Sequence, residues 1–125
     1  MKKTAASLAF CLALVATPAL AQSFQQLMDD AQAEDAAGNS RLEDADWQFR
    51  DGNVQQGCEI MEQARQHYVQ VESDLKAMDD MVHDPANGYS DDDQQRAMDW
   101  INQNQATLND IAGRMADTYR DKCAS

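Results

Sequence analysis

The chain has 125 residues, with 22 acidic against 10 basic side chains and a formal net charge of −12. Its length bounds it to one small domain. So acidic a surface repels nucleic-acid phosphates and anionic lipid headgroups, and suits cations or a basic protein partner instead.

The first residues carry an address. "MKK" is a short positive region, and the apolar stretch "TAASLAFCLALVATP" is too short to span a bilayer comfortably. "ALA" at 19–21 then supplies small residues where a signal peptidase reads. The pattern predicts a cleaved secretory leader over 1–21, cut between Ala21 and Gln22, and no stable membrane anchor. Cys11 lies in the apolar region behind the bulky Phe10, unlike a lipoprotein signal, and leaves with the leader. The remaining domain, 22–125, holds 8 basic and 22 acidic residues, a formal charge of −14. It is expected in the periplasm or outside the cell.

Strand signals are nearly absent after the leader, and helical periodicity takes their place. A first helix is expected from Ser23 to Asp51, with Phe24, Met28, Ala31, Leu42, Ala45 and Phe49 on one stripe. Asp35 and Gly38 interrupt that stripe, and Ser40 with Glu43 forms a capping box for a second start. A continuous helix and one broken near Gly38, giving four helices, are equally compatible with the pattern.

Gly52 suits a helix end in the left-handed region, and Asn53 with Gln56 forms a capping-box-like start. The second helix is expected over 54–82. Met61, Ala64, Tyr68, Val71, Leu75, Met78 and Val82 alternate spacings of three and four without a break. "HDPANGYSDDD" then reads as a turn, with Ser90 capping the third helix and three aspartates in its first turn. The same acids do not have the spacing of a calcium loop.

The third helix is expected from Asp92 to about Asp121, with Ala97, Ile101, Leu108, Ile111 and Met115 on its stripe. Asn104 interrupts it, either as a polar edge position or as a buried residue that sets helix register. Around the first turn, Gly52, Asn53, Gly57, Met61 and Ala64 resemble the second half of a tetratricopeptide repeat. The first half is unmatched and no period of about 34 residues recurs, so the resemblance extends only to a helical hairpin turn.

The expected architecture is an antiparallel three-helix bundle. Two cysteines remain after processing, Cys58 near the start of the second helix and Cys123 past the end of the third. Antiparallel helices joined by a short loop bring those ends together, which predicts a Cys58–Cys123 disulfide in an oxidising compartment. Cys58 to Asp84 spans roughly 39 Å of helix and Asp93 to Cys123 roughly 45 Å at about 1.5 Å per residue, so the last turn must depart from ideal helix.

Chemistry is harder to find. His67 and His83 are separated by roughly 24 Å along one helix, too far to share a substrate or a metal. No Ser-His-Asp or Cys-His set and no E-x-x-H motif occurs, and the abundant carboxylates single out no pair. No catalytic residue, cofactor or metal ligand is assigned. Methionines 28, 61, 78, 81, 98 and 115 suit core packing better than a copper site. Small exported b-type cytochrome bundles need a histidine near the end of the last helix, and none follows His83.

The favoured expectation is a non-catalytic exported protein that binds another protein or serves a structural or accessory role in the envelope. One alternative is a carrier of a small molecule, haem or metal, with Phe24, Trp47, Phe49, Tyr68, Trp100 and Tyr119 lining its pocket. Another is an acid-responsive periplasmic chaperone, whose carboxylates change charge at low pH.

Overall fold

The computed structural model describes residues 18–124, with side chains from residue 23 onward. The leader expected over 1–21, Cys11 included, lies outside that description apart from the backbone of 18–21. Those residues are helical and run without a break into the first helix.

The three helices are α1 (Pro18–Arg50), α2 (Val54–His83) and α3 (Asp91–Thr118). A short 3₁₀ turn, Pro85–Asn87, leads from α2 to α3, and a π-helical turn, Tyr119–Cys123, ends the chain. Every residue of the stripe expected on α2 is buried, from Met61 to Val82. Phe24, Met28 and Ala31 of α1 and Ala97, Trp100, Ile101, Leu108 and Ile111 of α3 complete the main core. The fold is an all-α antiparallel three-helix bundle.

The first helix is continuous, and Gly38 lies inside it. An interior glycine weakens a helix by about 1 kcal/mol relative to alanine, but here the missing side chain makes room for a neighbour. A Cβ on Gly38 would come within 2.7 Å of the Tyr68 ring of α2. The reverse happens at Gly57 of α2, where a Cβ would meet the Phe49 ring of α1 at 2.6 Å. Each helix thus inserts an aromatic ring over the other's glycine. Ala31, Gly38 and Ala45 recur at heptad spacing on α1, and Ala31 and Ala45 are buried; small residues at such positions let two helix backbones approach closely. Packing across this seam supports α1 through the position where propensity would break it.

The turns follow the sequence, with one exception. Gly52 has a φ of +84° and Gly88 of +68°, both left-handed. The Ser90 hydroxyl accepts a hydrogen bond from the Asp93 amide at 3.1 Å, and Asp91, Asp92 and Asp93 occupy the first turn of α3. Asn53, however, makes no side-chain cap. Its amide donates to Gln48 Oε1 across the turn at 2.9 Å, so the box expected with Gln56 does not form.

Asn104 is an edge residue, not a buried register device. It is half-buried, and its amide donates to the Trp100 carbonyl of its own helix at 2.8 Å. The π-helical turn takes up part of the length mismatch foreseen between α2 and α3. Its wider winding shortens the climb over Tyr119–Cys123, and the Ala124 amide closes it on the Tyr119 carbonyl at 2.9 Å.

Candidate functional site

The end of the bundle where α1 turns into α2 is assembled from all three helices. Cys58 in the second turn of α2 is bonded to Cys123 of the π turn, with Cα atoms 5.9 Å apart. Beneath them a second, smaller core gathers Ala45, Ile60 and Met61, with Leu42, Phe49, Met115 and Cys123 packed against it. Phe49 fills the notch at Gly57 on one side and meets the Lys122 ammonium 5.7 Å from its ring centre on the other. The disulfide therefore closes a packed corner and does not hang free.

This same end carries most of the exposed large apolar side chains. Trp47 is 59% exposed on the last turn of α1, Tyr119 is 55% exposed on the π turn, and Val54 is exposed at the start of α2. The Arg50 guanidinium lies over the Trp47 ring, 5.1 Å from its centre. An open groove beside them is lined by Gln48, Asn53, Val54, Gln55, Gln56 and Glu59.

These placements correct one sequence expectation. Trp47 and Tyr119 were candidates to line an internal pocket, and both point to solvent instead. Phe24, Tyr68 and Trp100 are buried core residues packed against other side chains. The six methionines after residue 22 pack as well: Met28, Met61 and Met78 are buried, and Met81, Met98 and Met115 border the core.

The two histidines are each engaged in local structure. His83 Nδ1 donates to the Asp79 carbonyl at 2.9 Å and lies 2.7 Å from the Asp79 carboxylate. Those two groups, the carbonyl foremost, hold the imidazole above its ordinary value. His67 Nδ1 contacts Glu34 Oε1 of α1 at 2.6 Å, linking α1 and α2. Among the described residues, no three His, Cys, Asp or Glu side chains come together so as to hold a metal ion.

Polar groups also enter the interior. Tyr68 is buried, and its hydroxyl donates to Asn39 of α1. Burial, reinforced by the Asp35 carboxylate, pushes that hydroxyl's pKa up. Asp93 is 1% exposed and ion-paired with Arg96 beneath the cap of α3. Asp74 is 5% exposed in the middle of α2, and no motif marks it. Its flanking position between Val71 and Leu75 was the available signal.

Nothing matches this chain among protein-family models, curated proteins or solved structures. No described helix is long and apolar enough to cross a membrane. Any functional reading therefore rests on the residues themselves.

Proposed function

We propose that this is a non-catalytic, exported accessory protein of the periplasm that works by binding another protein. The observation that carries the reading is the grouping of Trp47, Arg50, Val54 and Tyr119 at the disulfide-closed end. Tryptophan, tyrosine and arginine are the residue types that dominate binding energy at protein interfaces. Here they project from a rigid corner, so little ordering cost attends docking.

The leader pattern and the paired cysteines support export to an oxidising compartment. The surplus of acidic residues favours a basic partner and fast, salt-sensitive encounter. Both cysteines are joined in the disulfide, and both histidines have contacts that serve the helices. These side chains are accounted for without a reaction.

A photo-crosslinking residue in place of Trp47 tests the reading in the producing cell, with the same residue at exposed Ala106 as control. One discrete adduct from position 47, absent from position 106, is expected. Equal labelling at both positions, no adduct at 47, or a bound cofactor in the purified protein would overturn it.

A further inference from the structure

We propose that Asp74 of α2 and Asp30 of α1 form a proton-sharing clasp that tightens the α1–α2 seam in mildly acidic surroundings. Asp74 is 5% exposed, and Gln70 donates to its Oδ1 at 3.1 Å. Its other oxygen, Oδ2, is buried with no N–H or O–H donor against it. Across the seam, the Asp30 carboxyl of α1 lies within hydrogen-bonding reach of the Asp74 carboxyl. Two carboxyl groups in that position attract only when a proton lies between them, and repel when both are ionised.

The surroundings favour keeping that proton. Burial first, then the contact with Asp30, raises the Asp74 carboxyl from an ordinary value of 3.8 to about 6. Glu34 of α1 adds a further negative charge, and Gln70 opposes the shift by donating to the carboxylate. From α3, the inward residues Ala97, Trp100, Ile101, Leu108 and Ile111 carry no ionisable group, and the buried Asp93 is paired with Arg96. One helical turn along α1 from Asp30, Glu34 meets His67 of α2 at 2.6 Å.

The sign follows from proton linkage. The folded state holds the Asp74 proton more tightly than the unfolded chain, so the clasp is complete below pH 3.8 and is lost as pH rises through about 6. A chaperone that opens in acid would need the opposite behaviour at this seam.

Thermal unfolding of the full domain at pH 5.0 and pH 7.5 tests this, in the wild type, Asp74→Asn and Asp46→Asn. Asparagine at 74 supplies a permanent donor toward Asp30. Asp46 is exposed, so its variant makes the same change in charge away from the seam. The wild type and Asp46→Asn are expected to melt higher at pH 5.0 than at 7.5 by about 5 °C or more. Asp74→Asn is expected to melt higher than wild type at pH 7.5 and to lose most of that dependence. Carboxyl-carbon NMR of the wild type should place the Asp74 titration near pH 6. A midpoint in the usual aspartate range near 4, or an unchanged pH dependence in Asp74→Asn, would overturn the clasp.

Discussion

Replacing both Cys58 and Cys123 by serine removes the one covalent link between α2 and the end of α3. The bond closes a sequence separation of 65 residues. For a loop of that size the chain-entropy model gives a stabilisation of about 4 kcal/mol, through a denatured state that the crosslink restricts. A domain this small has a total of about 5–15 kcal/mol, so the loss is a large share of it. It corresponds to a fall in melting temperature of about 15–30 °C. The native state also loses the anchor of its smaller core, where Met115 and Cys123 pack on Ala45, Ile60 and Met61. Equilibrium urea unfolding followed by far-ultraviolet circular dichroism, without reductant, measures the effect against wild type. The urea dependence should steepen as well, because the uncrosslinked chain exposes more surface on unfolding. A destabilisation below about 1 kcal/mol would refute the reasoning. It would mean that the two helix ends are held together equally well without the bond.

Other perturbations bear on separate parts of the structure. Gly38→Ala places a Cβ against the Tyr68 ring and should cost about 1–3 kcal/mol in urea unfolding, although alanine is the better helix former. Tyr68→Phe removes the bond to Asn39 and should cost about 1 kcal/mol by the same measure. Ser90→Ala removes the cap on the Asp93 amide; a loss of about 1 kcal/mol is expected, with faster amide exchange in the first turn of α3. Trp47→Ala should leave the melting temperature within about 2 °C of wild type, since the ring is mostly exposed, while abolishing partner capture through that end.

Much of the fold was legible because burial on a helix repeats every three or four residues. The α2 stripe from Met61 to Val82 needed no knowledge of its neighbours, and the turn at Ser90 announced itself through its own side chains. The disulfide could be foreseen from topology, because two helices of similar length joined by a short loop return their ends to one place. What resisted reading was pairwise. Gly38 reads as a break in isolation and becomes a packing position only once Tyr68, thirty residues away, is placed over it. The heptad of small residues Ala31, Gly38 and Ala45 was the clue available. Asn53 had the identity of a cap, but Gln48 competes for its side chain across the turn. Trp47 and Tyr119 showed aromatic character without direction, and only the packed bundle turns them outward. The place of Asp74 between Val71 and Leu75 hints at burial, but in a chain rich in acids nothing local pairs it with Asp30.

Native mass spectrometry without reductant, on protein purified from the periplasm of the producing cell, tests the proposal of an exported, stapled and unliganded bundle most directly. The expected species begins at Gln22, is two hydrogens lighter than its sequence and carries nothing else. A retained leader, free thiols, or added mass from a metal, haem or small molecule would contradict it.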